Sequence, residues 1–273
     1  MSGIERAAKT QTIPWYGKIE SAGPDRPWLV MVHGASQHSG VFSAQVEAFR
    51  TSHRLLLIDL PGHGRSASVA GPYGLLEYAE GVLAALDRAG VGEMHFWGTH
   101  TGAGVGLLLA TGSQRRRFSS LILDGAVLPG VDLPSVSEAI NRAKATARAS
   151  GVEAARREWF DRSAWFDVMR ANPVQCRCAE HLRMVSGFAG GPWLDPSAPR
   201  PLASIEDRLR DIGSPVLLVN GEHDLDDFLM VAERLEKNLP NVRRHVIPDA
   251  GGFPLWEYPD RVNAGVKEFL DRP

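Results

Sequence analysis

The pentapeptide GTHTG, residues 98–102, places His100 between two glycines and two threonines. A histidine titrates near neutral pH, so its imidazole can take a proton from water or carbon and return one to a leaving group. An apolar run beginning at Met94 precedes the pentapeptide, and a run of small and apolar residues follows it. The sequence therefore predicts that His100 lies on a tight turn leading from a strand into a helix.

The two glycines of this turn, Gly98 and Gly102, indicate that the backbone at His100 is strained. A side chain at the first or last position of the turn would collide with the neighbouring strand or helix. The strain holds the central side chain clear of the sheet, where a substrate can meet it. The function of the chain therefore depends on what an imidazole can do at this position.

Composition excludes several classes of partner. The chain has 273 residues, of which 44% are apolar and 23% charged, and this length and balance are compatible with one large α/β domain. A net charge of −2, spread along the chain, gives no reason to expect binding to nucleic acid or to an anionic membrane. No apolar run is long enough to span a membrane. The expected partner is a small molecule, and the oligomeric state is left open.

Cysteine usage favours a reducing compartment. The only cysteines, Cys176 and Cys178, are separated by one residue, which is poor geometry for a disulfide. No second Cys/His group completes a zinc site, so we expect neither a metal nor a cofactor. Residues 1–12 lack the apolar core of a signal peptide, and we expect a cytoplasmic protein.

Short β-rich runs alternate with amphipathic helical stretches, which predicts a mostly parallel central sheet with helices on both faces. The first five predicted strands each run into a glycine-containing loop, and such loops lie at the carboxyl ends of strands, where open α/β sheets place their sites. A further hairpin is expected from Thr12 to Ile19. The predicted strands are Trp28 to His33, Arg54 to Asp59, Met94 to Trp97, Leu121 to Asp124, Val216 to Asn220 and Arg244 to Ile247.

The alternation breaks between Pro129 and Arg210, where several helical stretches follow one another without an intervening strand. We interpret residues 129–210 as a helical insertion in a core formed by residues 1–128 and 211–273. Aromatic residues of this insertion, among them Trp159 and Trp165, are expected to roof an apolar pocket.

Four motifs in order resemble the α/β-hydrolase superfamily, over nearly the whole chain. They are HGAS at 33–36, DLPGHGRS at 59–66, GTHTG at 98–102 and GEHD at 221–224. The third has the outline of the family's nucleophile elbow, G-x-S-x-G, with a histidine in place of the serine. The resemblance implies the α/β-hydrolase fold, with the insertion at the family's usual place for a lid, after its strand six.

The resemblance also assigns roles to individual residues. The loop at Gly34 and Ala35, together with Thr101, would supply the backbone N–H groups of an oxyanion hole, and Asp224 would be the acid of the catalytic triad. The segment PDAGGFPLWE, residues 248–257, resembles the segment that carries the family's catalytic histidine, but Gly252 stands at that position. The standard serine triad is therefore not available.

The two departures suggest one rearrangement. His100 would lean into the space beside Gly252 and be oriented by Asp224, with Asp124 at the end of its strand as the alternative acid. Such a pair would support water attack on an ester, thioester or activated ketone, or cleavage of a carbon–carbon bond. Nucleophilic attack by His100 itself ranks lower. His38, which follows the oxyanion loop, is a further candidate to face the substrate.

The leading hypothesis is an enzyme with a non-serine site centred on His100, a hydrolase or a lyase, acting on a small, partly apolar carbonyl compound. The alternative is a non-catalytic binding protein, because some hormone receptors of the superfamily lack the triad histidine. A further alternative is oxygen chemistry like that of the cofactor-free quinolone dioxygenases, whose histidine lies at the position of Gly252.

Overall fold

A seven-stranded sheet forms the centre of the molecule in the computed structural model, which describes residues 13–272. The strands lie in the order β1-β3-β2-β4-β5-β6-β7, with β1 antiparallel to β3 and the other neighbours parallel. Their bounds are β1 (Tyr16–Ile19), β2 (Trp28–Val32), β3 (Arg54–Ile58), β4 (Met94–Thr99), β5 (Phe118–Asp124), β6 (Val216–Gly221) and β7 (Val242–Ile247).

Eleven α-helices accompany the sheet within the described residues. They cover both of its faces, as the α/β prediction requires, with α2 packed on α3 and α1 on α11. Their bounds are α1 (Ser43–Phe49), α2 (Leu75–Ala89), α3 (Thr101–Ala110), α4 (Pro134–Ser150), α5 (Val152–Arg162), α6 (Asp167–Ala171), α7 (Cys178–Ser186), α8 (Gly191–Leu194), α9 (Asp226–Asn238), α10 (Pro254–Glu257) and α11 (Pro259–Leu270).

The central strands are apolar because both faces of a parallel sheet are covered. All five residues of β2 are buried, and so is every residue of β6. In the pairing of β4 with β5, Thr99 lies opposite Asp124. This register brings the last residues of the two strands to the same edge of the sheet, immediately before His100 and Gly125.

Helices α4 to α8 lie between β5 and β6 in the chain. Helix α4 packs against α5 and α8, and it also contacts α9. Its buried residues include Ala139, Ala143 and Ala147, whose spacing of four places them on one face of the helix. Gly151, with a φ of 87°, follows the last residue of α4 and precedes α5. The limits of the insertion, residues 129 and 210, stay a prediction.

All six strands predicted from Trp28 onward are present, with ends that differ by at most three residues. The prediction of a hairpin from Thr12 to Ile19 is wrong for residues 13–19, which the structure describes. Residues Tyr16–Ile19 form a single edge strand, whose partner is β3. Residues 1–12, which include Thr12 and the stretch expected to lack a signal peptide, lie outside the described residues. From residue 13 to residue 272, no helix is long and apolar enough to cross a membrane.

Candidate active site

The turn at residues 98–102 has the strained geometry that its glycines predict. His100 has φ 48° and ψ −109°, a conformation rare for a residue with a side chain. A Cβ atom on Gly98 would lie 2.4 Å from the backbone of Gly102, and a Cβ atom on Gly102 would lie 2.0 Å from the carbonyl oxygen of Val32. Only glycine fits at these two positions, so the turn and the placement of His100 are fixed together.

The imidazole of His100 lies among aromatic rings. Its centroid is 4.9 Å from that of Phe228, 5.1 Å from Phe253 and 5.7 Å from Trp165. Only 4% of the residue is exposed. The aromatic enclosure keeps water away from most of the ring.

Burial determines the protonation state of His100. Desolvation lowers its pKa to about 4, and the backbone carbonyl of Gly252 opposes this only in part. The Nδ1 atom lies 3.0 Å from the hydroxyl oxygen of Thr99, whereas Nε2 has no hydrogen-bond partner among the described residues. At neutral pH the imidazole is therefore uncharged, which is the form that can accept a proton.

Two glycines make room for this imidazole. A Cβ atom on Gly34 would be 3.1 Å from His100 Cβ, and one on Gly125 would be 2.8 Å from His100 Nε2. Gly125, which directly follows β5, also has a φ of +53°. The ring of His100 therefore extends toward the end of β5.

The space beside Gly252, which we expected His100 to occupy, is taken by Trp165. A Cβ atom on residue 252 would lie 2.8 Å from Trp165 Cδ1, 3.1 Å from the Trp165 carbonyl oxygen and 3.6 Å from Asp224 Oδ1. Trp165 is therefore the side chain nearest to this position, and His100 is close to the Gly252 backbone, whose carbonyl raises the pKa of the imidazole. The absence of a side chain on Gly252 leaves room for this indole from the insertion.

The hydrogen bond predicted between His100 and Asp224 is not formed. The Asp224 carboxylate accepts from Asn220 Nδ2 and from the Leu225 backbone N–H, both at 2.9 Å. Asp224 is buried, and desolvation raises its pKa to about 7. These two donors hold the carboxyl in place, and neither nitrogen of His100 forms a hydrogen bond with it.

The alternative acid, Asp124, does not orient His100 either. It is fully buried, and neither carboxyl oxygen has a hydrogen-bond partner in the described part of the chain. Burial raises its pKa well above the usual range, and the charges of Asp224 and Glu257 raise it further. Burial therefore favours the protonated, uncharged form of Asp124. Its backbone carbonyl does contribute to the site, because it accepts the N–H of His100 at 2.8 Å.

Sequence reasoning missed a third buried carboxyl. Glu257 accepts the Gly251 N–H at 2.6 Å through Oε2, while Oε1 has no partner among the residues described. Burial raises its pKa to about 7. Glu257 is the last residue of the PDAGGFPLWE segment, and its place in that motif is the feature of the sequence from which it could have been predicted as a site residue.

A second buried histidine, His181 on α7, was also missed. Its ring packs against Phe253 at 4.8 Å and Trp256 at 5.2 Å, and neither ring nitrogen has a hydrogen-bond partner in residues 13–272. Desolvation lowers its pKa to about 3, and the nearby His100 contributes in the same direction. In the sequence, His181 lies on an apolar face of a helix, a pattern that predicts a core residue and does not indicate a place near the site.

A cavity of about 280 Å³ lies between the carboxyl end of the sheet and the insertion. His100 lines it, and so do four of the residues predicted for the site: Ala35, Thr101, Trp159 and Trp165. Gly34 is not among its lining residues; the N–H of Gly34 donates to the side-chain oxygen of Gln37 at 3.1 Å.

His38 does not line this cavity. Its Nδ1 accepts the N–H of Gly40 at 3.0 Å, an interaction that caps the short 3₁₀ helix Ser39–Phe42. The ring lines a separate surface groove together with Arg183 and Met184. The expectation that His38 faces the substrate is corrected, because its side chain lines this groove and not the cavity beside His100.

A family profile described as "Alpha/beta hydrolase family" matches residues 29–264. The chain belongs to the alpha/beta hydrolase family. Its structure is similar to that of the enol-lactonase from Burkholderia xenovorans LB400, with a TM-score of 0.78, 22% identity and coverage of 94% of this chain and 96% of the other. The similarity to MenH from S. aureus has the same TM-score, with 21% identity and coverage of 94% and 97%. These likenesses show the fold.

Sequence relatives of this alpha/beta hydrolase are enzymes. A 2-hydroxy-6-oxononadienedioate/2-hydroxy-6-oxononatrienedioate hydrolase from Burkholderia vietnamiensis is 28% identical over 255 residues, 89% of this chain and 87% of the relative. A 2-succinyl-6-hydroxy-2,4-cyclohexadiene-1-carboxylate synthase from Enterobacter sp. is 30% identical over 266 residues, 93% of this chain and 95% of the relative. The comparisons support enzyme activity of the hydrolase or lyase type.

Proposed function

We propose that the protein hydrolyses an ester or thioester, or cleaves a carbon–carbon bond, in a small and partly apolar carbonyl compound, with His100 as the general base. One observation carries this proposal. An uncharged imidazole on a strained turn lines the same cavity as Ala35 and Thr101. Together these residues would supply a proton acceptor and two backbone N–H groups to one small volume.

In this mechanism the imidazole takes a proton from water as the water oxygen adds to the substrate carbonyl carbon. The electrons of the C=O bond move to its oxygen, and the N–H groups of Ala35 and Thr101 stabilise the negative charge there. Thr101 is the first residue of α3, so its N–H has no acceptor within the helix. When the carbonyl re-forms, the leaving oxygen, sulfur or carbon receives the proton from the imidazolium.

The low pKa of the free imidazole does not prevent this role. An imidazolium formed in the aromatic enclosure is unfavourable by itself, but it is formed together with the oxyanion, and the two charges attract each other. No carboxylate is needed to provide the opposite charge. The mechanism is therefore consistent with an Asp224 that contacts Asn220 and Leu225 instead of His100.

The test is turnover of a panel of aryl esters, thioesters and β-diketones by the wild type and by His100→Gln. Glutamine has a comparable shape but accepts no proton, so we expect kcat/KM to fall by about 100-fold or more. His38→Gln is the matched control, because His38 lies outside the cavity, and it should retain wild-type turnover. Equal activity of His100→Gln and wild type would refute the assignment of the base.

A serine-directed fluorophosphonate provides an independent check. The elbow carries an imidazole where the serine of the family motif would be, so we expect no stoichiometric labelling. Labelling of one residue per chain would reveal a hydroxyl nucleophile elsewhere and contradict the mechanism.

The second candidate function is binding without catalysis. It is favoured by the state of His100 Nε2, which is buried and unpartnered among the described residues. It predicts that members of the panel raise the Tm of the protein while no product is formed. The same panel, extended to a quinolone with oxygen uptake as the readout, tests the oxygenase alternative.

A further inference from the structure

We infer that the cavity beside His100 takes an uncharged carbonyl compound and excludes carboxylates. This inference rests on the proposed function, since it names the substrate class of the same site. It is carried by the side chains around the cavity and by the buried carboxyls behind it.

The walls of the cavity are mainly apolar. Val136 and Ile140 of α4 form one side, and Trp159 and Trp165 of the insertion contribute aromatic faces. Phe253 lies beside His100. Such walls bind the apolar body of a ligand, and they contain no Lys or Arg that could pair with a charged group.

The polar side chains of the lining are neutral or negative. Burial raises the pKa of both Tyr73 and Tyr78, so their hydroxyls stay protonated and neutral. The hydroxyl of Tyr73 already donates to the carbonyl oxygen of Val69 at 2.8 Å. Asp132 is exposed and lines the cavity as its only acidic residue, and none of the lining residues is Lys or Arg.

Negative charge would also be unfavourable because of the groups behind the site. Asp224 is buried near the elbow, and above its pKa of about 7 it carries a negative charge, which also raises the pKa of Asp124. A carboxylate brought into the cavity would lose its water, find no cation among the lining residues and approach the charge of Asp224. A neutral amide, ester or ketone avoids all three penalties.

The proposed preference for uncharged ligands differs from the substrates that the names of the relatives contain. Those names contain a dienedioate or trienedioate, which carries two carboxylates, and a cyclohexadiene carboxylate. We therefore expect the substrate of this protein to differ from both in charge.

The decisive measurement is the affinity of two ligands that share a skeleton and differ in charge. We would titrate the wild type with 4-oxo-4-phenylbutanamide and with 4-oxo-4-phenylbutanoate by calorimetry at pH 8. The expected result is that the amide binds about 100-fold more tightly than the carboxylate. Equal or tighter binding of the carboxylate would overturn the inference, and so would a wild type that binds neither compound.

A variant that adds one cation locates the effect in this cavity. Ile140→Arg should increase the affinity for the carboxylate at least tenfold and leave the amide affinity within about threefold. Ile140→Met is the matched control, with a long and uncharged side chain, and should not gain carboxylate affinity. Ser137→Arg places the cation at an exposed lining position, in case the half-buried Ile140 does not tolerate the charge.

Binding and turnover separate the two proposals. If the amide binds selectively and no member of the panel is turned over, the substrate class stands and the catalytic proposal fails. If turnover occurs and the wild-type enzyme prefers carboxylates, the catalytic proposal stands and the inference about charge fails. Failure of both arginine variants to gain carboxylate affinity, while Ile140→Met behaves as wild type, would also overturn the inference.

Discussion

Trp165 lies against Gly252, so that a Cβ atom on residue 252 would be 2.8 Å from Trp165 Cδ1. The indole comes from the insertion and the glycine from the loop before α10, and the contact joins these two parts of the chain. The Asp224 Oδ1 atom would lie 3.6 Å from the same Cβ atom. The position that the family resemblance assigns to a histidine is bounded here by a tryptophan.

The first prediction concerns this contact. Gly252→Ala should lower the free energy of unfolding by about 1–3 kcal/mol, because the added methyl overlaps a buried indole. In a Trp165→Ala background the same substitution should cost at least about 1 kcal/mol less, since the indole is absent and only the carbonyl oxygen of residue 165, at 3.1 Å, remains close. Urea denaturation of the wild type, the two single variants and the double variant gives the coupling free energy between residues 165 and 252.

Gly92→Ala is the control for this cycle, because a Cβ atom there would have no neighbour within 4 Å. It should cost the same with and without Trp165. Equal costs of Gly252→Ala in the two backgrounds would show that the indole does not occupy this space.

The second prediction concerns the pair Gly125 and His100. Gly125→Ala introduces a strained φ of +53° and a methyl 2.8 Å from His100 Nε2, so it should destabilise the protein and displace the imidazole. Gly90→Ala is the matched control. Gly90 also has a positive φ, +72°, but a Cβ atom there would have no neighbour within 4 Å. We expect Gly125→Ala to cost about 1–2 kcal/mol more than Gly90→Ala.

The excess cost should disappear in a His100→Ala background, where no imidazole meets the new methyl. Thermal and urea unfolding of the single and double variants measure it. An excess that persists without the imidazole would mean that His100 does not extend toward Gly125.

The sequence predicts the strained turn and the positions of the strands along the chain, because both follow from local chemistry. Gly98 and Gly102 permit one tight turn between an apolar strand and an apolar helix. This pattern can be recognised from the local sequence, without knowing which distant residues pack around it. The orientation of the imidazole cannot be predicted in this way. It depends on which distant side chains pack into the space beside each glycine, and the presence of Gly252 in the sequence does not tell whether Trp165 or His100 will lie there.

The same limit applies to the acids. The motif at residues 221–224 is enough to predict that Asp224 lies near the elbow, but its two hydrogen-bond donors depend on the final packing. The glycines that accommodate His100 are Gly34 and Gly125, and both follow strands, where a glycine is common for several reasons. The cavity lining required the fold itself, because α4 and the elbow are far apart in the chain.

The third prediction concerns pH and Glu257. Burial raises the pKa of this carboxyl from 4.5 to about 7, so between these values the folded protein binds more protons than the unfolded chain. Its contribution to stability therefore falls as the pH rises from 4.5 to 7. Glu257→Gln removes this dependence and should gain on the order of 2–3 kcal/mol relative to wild type between pH 5 and pH 8.

Urea denaturation of both proteins across this range measures the gain. Buried histidines such as His100 and His181, whose pKa values are lowered, have the opposite trend, losing stability as the pH falls below 6.5. That trend is common to both proteins and cancels in the difference. Glu93→Gln, at an exposed position, should show no pH-dependent gain. A constant difference between Glu257→Gln and wild type would show that Glu257 is ionised throughout this range.

Chemical rescue of His100→Ala tests the role of the imidazole most directly. The variant removes the base and leaves a space beside Gly125 that a free imidazole can enter, so kcat/KM should fall by about 100-fold or more and recover as imidazole is added. Affinity for a neutral ligand should change little. Full turnover by His100→Ala without added imidazole would contradict the account that His100 is the general base.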